Sequence, residues 1–204
     1  TGVQTCALPI FNTCERPLAR WPQNLVVTAP AFIYPFAMSH HHLRWEEERR
    51  ERLLEAVVFS VDKSIQRGPE GRSAEYFLLN TPDWGNVVAL TTDERGQECF
   101  VMVRQFRHGN MKVSLEFPGG VIDPGEDPKT ASARELTEET GYIAEDLTLI
   151  GEINPNPAFM SNTCYTYLAR GLHRKHDQDL DENEVIDVEL VPVDSVRVDR
   201  KGSF

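Results

Sequence analysis

One stretch of this chain carries a full set of helix signals, and nearly everything around it has the composition of strands. Asp127 is a good N-cap, Pro128 suits the first helical position, and Gly141 can end the helix in a left-handed turn. These signals predict a helix over Pro128–Thr140. Before it lie strand-like runs at 56–62, 75–79, 86–92, 99–104 and 113–117, separated by turn residues such as Thr81-Pro82-Asp83 and Asp93-Glu94-Arg95-Gly96. After it come runs at 147–153, 164–170 and 185–191, with an acidic loop, 173–184, between the last two. Strands, one central helix and more strands do not make a repeating βαβ sheet. The order predicts an α/β fold, a mixed β-sheet sandwich built around one loop–helix.

The 204 residues are enough for one domain that buries a core without disulfides or a structural metal. A net charge of −11 argues against nucleic-acid or anionic-membrane partners, because both need a basic surface. A small phosphate compound remains compatible if divalent cations neutralise the site locally. Cys6, Cys14, Cys99 and Cys164 show no C-x-x-C spacing, and a reducing cytoplasm fits them best. The longest apolar stretch, 25–38, falls short of the ~20 residues a spanning helix needs and is interrupted by Pro30 and Pro35.

Residues 1–37 hold five prolines and no helical or strand period, and are expected to be a non-native or disordered leader, with Met38 as the start. Residues 38–55, including the charged run WEEERRERLLE, read as a short exposed helix or linker. The main domain is expected over 56–204 and to be truncated at its C-terminal end.

On the predicted helix, Glu135, Glu138 and Glu139 stand at i, i+3 and i+4 and share one arc of its surface. Ala133, Leu136 and Thr140 form a narrow face that can pack on a sheet, leaving the carboxylates displayed on the other side. Three crowded carboxylates on a rigid element suit hard divalent cations, which want oxygen ligands. Arg134 lies four residues before Glu138 and can pair with it. Gly119-Gly120 and Pro124-Gly125-Glu126 make a tight loop before the helix, and Glu126 adds a fourth acid. On the glutamates alone, a capped surface helix with a solvated acidic face is the favoured reading.

The full spacing is more specific. Gly120, five residues, Glu126, seven residues and then Arg134-Glu135-Leu136-Thr137-Glu138-Glu139-Thr140-Gly141-Tyr142 resembles the Nudix box at every defined position. The resemblance extends over roughly residues 56–198. It implies Mg²⁺ or Mn²⁺ held by Glu135, Glu138 and Glu139, with Glu126 and the Gly119 carbonyl assisting. More distant features resemble the ADP-ribose pyrophosphatase branch of that family. They are Val103-Arg104-Gln105-Phe106-Arg107 followed by Glu116-Phe117-Pro118-Gly119-Gly120, then Pro157 sixteen residues past Gly141, and Asp181-Glu182-Asn183-Glu184 before a strand. This likeness implies Arg104, Arg107, Glu116 and Pro157 as substrate contacts, and Glu182 or Glu184, beside Glu138 and Glu139, as catalytic. Trp84 or Phe106 is a candidate to stack on adenine, although for each aromatic taken alone a core role is favoured. Two departures leave the substrate open: Phe-Pro-Gly-Gly stands where that branch often has Pro-Ala-Gly, and Asn154-Pro155-Asn156-Pro157 is richer than its usual proline signal.

The implied reaction is attack of metal-activated water on a diphosphate of a small nucleoside diphosphate derivative, ADP-ribose giving AMP and ribose 5-phosphate. Alternatives are a Nudix hydrolase of nucleotide sugars, dinucleoside polyphosphates or nucleoside triphosphates, or a Nudix-fold sensor that binds without cutting. Relatives in this branch imply a homodimer formed through N-terminal strands.

Overall fold

The computed structural model describes residues 40–196. The expected leader over 1–37, and the expected truncation at the C-terminal end, lie outside these residues. Seven of the strands form one mixed sheet. These are β4 (Trp84–Thr92), β5 (Glu98–Arg107), β6 (Lys112–Glu116), β7 (Gly119–Val121), β8 (Tyr142–Ile153), β9 (Cys164–Arg174) and β10 (Ile186–Pro192). The path across the sheet is β10-β5-β4-β9-β8, with β4 and β9 parallel and the other pairs antiparallel. A second, three-stranded antiparallel sheet holds β1 (Glu46–Glu55), β2 (Ser60–Arg67) and β3 (Ser73–Asn80). The sheets are tied where Leu79 N donates to Phe159 O at 2.7 Å and Ser161 N donates to Leu79 O at 3.3 Å.

The helix α1 spans Pro128–Thr140 as its capping signals require. Asp127 accepts from Thr130 N, and Gly141 closes it in the left-handed region at φ 73°. Leu136 is fully buried among Val87, Ala89, Val101, Leu147, Tyr167 and Ala169, alternate residues from four strands that place the core between α1 and the large sheet.

A wedge in this sheet creates the site. β4 and β5 pair only at Ala89–Thr92 against Glu98–Val101, then part. β6 follows the free edge of β5, β7 follows the free edge of β4, and Val87 N donates to the carbonyl of Pro118 between them at 2.8 Å. The Gly119-Gly120 segment, expected to be loop, is therefore a short strand held against Asn86 and Gly85. Its backbone groups are satisfied by β4, which a free loop cannot offer.

The charged run after Trp45 is a strand, not the short helix or linker expected over 38–55. Every residue of β1 is exposed, so a helix there would have had no apolar face to bury. Pairing with β2 supplies backbone bonds and cross-strand ion pairs instead, including Arg52 with Asp62 and Arg67 with Glu48. The strand expected at 56–62 begins only at Ser60, because Ala56 N donates to Phe59 O and closes the β1–β2 hairpin.

Removing the anchor of α1 tests this packing. Leu136→Ala should cost on the order of 3 kcal/mol by thermal or denaturant unfolding, whereas Leu149→Ala on the half-exposed edge strand should cost well under ~1 kcal/mol.

Candidate active site

α1 lies on the wedge with Glu135 and Glu139 turned inward rather than outward. Glu139, expected on the displayed face, is 4% exposed. Its Oε2 accepts from Gly119 N at 2.8 Å. Glu135, one turn earlier, presses its carboxylate over the Cα of Gly120, where a Cβ would stand 2.5 Å from Cδ. The glycines of the motif are thus the floor on which two glutamates rest. The other carboxylates gather around Arg134. Its Nη1 donates to Glu135 and Glu138, each at 2.9 Å, and its Nε and Nη2 both reach Glu126 at 3.2 Å.

This arrangement sets the charge states. Hydrogen bonding to Arg134 holds Glu126 below the usual carboxylate range. Burial pushes Glu135 up, against the pull of Arg134, with Glu138 and Glu184 adding to the rise. Burial pushes Glu139 further, to about 7, helped by the nearby charges of Glu135 and Glu184 and opposed by the Gly119 N–H and Arg107. Among the described residues Glu139 has no ion-pair partner.

The acidic loop reaches the site because it is fastened to the end of α1. Asp179 N donates to Glu138 O at 2.9 Å, and the Gln178 amide donates to Glu139 O at 2.6 Å, satisfying carbonyls that a helix end leaves open. Gly141 permits this approach, since a Cβ there would stand 2.2 Å from His176 O. The loop carries both predicted glutamates, and the structure separates them. Glu184 raises the carboxylates of Glu135 and Glu139 through its charge, and its Oε2 accepts from Asp181 N at 3.2 Å. Glu182 is exposed at the turn, and no hydrogen bond or ion pair ties it to the cluster.

The two arginines also part company. Three apart on β5, Arg104 and Arg107 face opposite sides of the sheet. Arg107 lies on the α1 side, where the charges of Glu139 and Glu184 reach it, and is held in two-point contact by Glu116 at 2.6 to 3.1 Å. Arg104 is engaged by Glu189 of β10, with one bond at 3.0 Å, and is not brought to the cluster. Pro157 is exposed in the turn Asn156–Met160, outside the cluster's hydrogen-bond network. Trp84 opens β4 opposite Val121, and Phe106 stands half-exposed with its ring edge-on to His108. A cleft of about 770 Å³ lies beside the cluster, lined by Arg107, His108, Asn110, Asn183 and Glu184 among others.

Sequence reasoning foresaw Arg134 only as a partner for Glu138. Its contact with Glu126, and the fastening by Gln178, depend on loops folding back on the helix, which no local spacing signals.

The donor set suits a hard divalent ion. It offers only carboxylate and carbonyl oxygens, and its most buried carboxylate, Glu139, has no ion-pair partner among the described residues. Among the described residues no ready-made cage of three acidic, histidine or cysteine ligands exists, because Arg134 draws three of the glutamates to itself. Any ion held by these glutamates would have to exchange arginine contacts for metal contacts.

Residues 84–203 match the NUDIX domain family. The chain is 32% identical over 140 residues to an ADP-ribose pyrophosphatase of Bacillus subtilis (strain 168), covering 68% of this chain and 74% of that protein. It is 52% identical over 102 residues to an ADP-sugar pyrophosphatase of Mus musculus, 47% of each chain. The crystal structure of an ADP compounds hydrolase shares the fold, with a TM-score of 0.65 at 24% identity, covering 74% of this chain and 80% of that one. The chain belongs to the Nudix family and is a Nudix pyrophosphohydrolase.

The raised carboxyl of Glu139 has a consequence for stability without metal. Its folded value near 7 lies above the ordinary 4.5, so the penalty of ionising it grows between those pH values and is complete above them. At ~1.4 kcal/mol per pH unit of separation, the penalty is on the order of 3 kcal/mol. In chelator, Glu139→Gln should raise the melting temperature at pH 8 and have much less effect at pH 5; equal effects at both pH values would contradict this assignment.

Proposed function

We propose that this protein hydrolyses the pyrophosphate bond of ADP-ribose to AMP and ribose 5-phosphate, with Mg²⁺, or Mn²⁺ in its place, bound at α1. The observation that carries the reading is Glu139, buried and uncompensated beside Glu135 on the glycine edge of β7, with Arg107 and Glu184 bordering the same space. The names of the relatives at 32% and 52% identity support an ADP-linked substrate. Glu135, Glu138 and Glu139, with Glu126 and the Gly119 carbonyl, would hold the ion. A divalent cation supplies charge neutralisation of the diphosphate and a lowered pKa for water.

The remaining chemistry falls to the chain's own groups. Arg107, oriented by Glu116, binds a non-bridging phosphate oxygen from the α1 side of β5. Glu184 accepts the proton of water as its oxygen bonds to one phosphorus, and the bridging P–O bond breaks to release the second phosphate. Glu182 is the weaker candidate for that base, since the charge that reaches Glu135, Glu139 and Arg107 from this loop is that of Glu184. The cleft beside Arg107 and Glu184 gives room for the substrate without exposing Glu139.

With Mg²⁺, turnover of ADP-ribose should exceed that of ADP-glucose, GDP-mannose, diadenosine polyphosphate and dGTP, and should vanish in chelator. Glu184→Gln should lower kcat by roughly 10²-fold or more, with Glu182→Gln costing far less. Selective turnover of another substrate would overturn the ADP-ribose assignment, and binding without turnover would favour a sensor.

We also propose that the protein is a homodimer joined through the three-stranded sheet. Leu53, Leu54 and Phe77 stand exposed on its strands, and Val57 and Val58 in the β1–β2 turn, apolar side chains that a second copy would cover. Light scattering after size-exclusion chromatography should give twice the chain mass, and Val57→Glu with Phe77→Glu should halve it. A monomeric wild type would end this proposal.

A further inference from the structure

α1 reaches the glycine edge through a contact outside the sequence motif. Gly85, the second residue of β4, is buried between Gly120 of β7 and Tyr165 of β9. Ser132 sits directly above it, fully buried, with its hydroxyl donating to the Pro128 carbonyl of its own helix at 2.8 Å. A methyl group on Gly85 would stand 2.1 Å from Ser132 Oγ and 3.4 Å from its Cβ. The hydroxyl is thus packed on the bare Cα, with no space left for any side chain.

Ser132, Glu135 and Glu139 stand at i, i+3 and i+7, one stripe along α1. Each member rests on a different glycine. Ser132 lies on Gly85, Glu135 on Gly120, and Glu139 on the N–H of Gly119. Gly119 is in turn seated on β4, where a Cβ would stand 2.0 Å from the carbonyl oxygen of Gly85. The four backbone and side-chain contacts form one interlocked layer, and Ser132 on Gly85 is its support at the start of the helix.

From this geometry we infer that Gly85 and Ser132 are positioning residues for the carboxylate site, setting the height of α1 above β4 and β7. The inference rests on the metal reading given above. Leu136 and the fastening of the acidic loop hold the far half of the helix. A side chain at position 85 would therefore lift the near half and tilt α1. Glu135, one turn from the contact, would move off Gly120 first. Ion sites built on rigid elements tolerate displacements of only about 0.5 Å, so such a tilt would register as lost metal affinity before lost fold.

The test is Mn²⁺ binding without substrate, followed by electron paramagnetic resonance, in wild type, Gly85→Ala and Gly85→Ala/Ser132→Ala, with circular dichroism to confirm the fold. The single variant should bind about tenfold or more weakly, and the double variant within a few-fold of wild type, because deleting the hydroxyl leaves only the 3.4 Å contact. Wild-type affinity in the folded single variant would overturn the inference, as would a double variant no tighter than the single. Should Gly85→Ala not fold, the double variant carries the test: it should fold and bind within a few-fold of wild type, and failure to fold or an affinity about tenfold or more below wild type would overturn the inference. A wild type that binds no Mn²⁺ would overturn the metal reading itself.

Discussion

The charge balance of this site hangs on one carboxylate kept out of water, Glu139 on the backbone of Gly119. A buried carboxylate with a single backbone donor is costly in a folded protein unless a cation or proton answers its charge. Much of the surrounding structure maintains that unfavourable arrangement. The core around Leu136 presses α1 on the sheet, the loop 175–179 closes over its end, and β7 presents a backbone donor that no side chain blocks. A bound divalent ion would relieve that charge, which is the basis of the proposed metal site.

Arg134 plays the complementary part. It binds three of the four clustered glutamates and leaves out Glu139. The guanidinium holds together carboxylates that would otherwise repel one another. Glu139 bonds the Gly119 N–H instead. The site therefore divides into one carboxylate held by backbone and three held by a side chain.

The sheet wedge explains why the chemistry collects at this place. Where β4 and β5 part, each leaves an edge of unpaired backbone, and the 112–121 segment fills both. That segment brings Glu116 beside Arg107 and Gly119 beneath Glu139. Strand alternation then decides which side chains share the space. Arg107 faces it, and Arg104 meets Glu189 on the other side of the sheet. From the sequence the two arginines looked equivalent, because alternation says which residues share a face only once the strand is known to continue unbroken through both.

Local sequence determined the helix to its last residue, since Asp127, Pro128 and Gly141 act through bonds within a few positions of themselves. It also determined which glutamates share a helix face, and the spacing that identifies the family. It did not determine that this face would be buried, because burial depends on β7 lying against β4, a pairing between Gly119–Val121 and Trp84–Asn86. Nor did it separate Glu184 from Glu182, or reveal Gly85 beneath Ser132, contacts made across 30 or more residues of chain. The charged run of β1 misled for the same reason: helix propensity is local, while its partners Asp62 and Arg67 lie on the next strand. Capping and helical spacing are short-range and can be read along the chain. Depth in the fold, and with it the charge state of Glu139, is set by long-range packing and belongs to the tertiary structure alone.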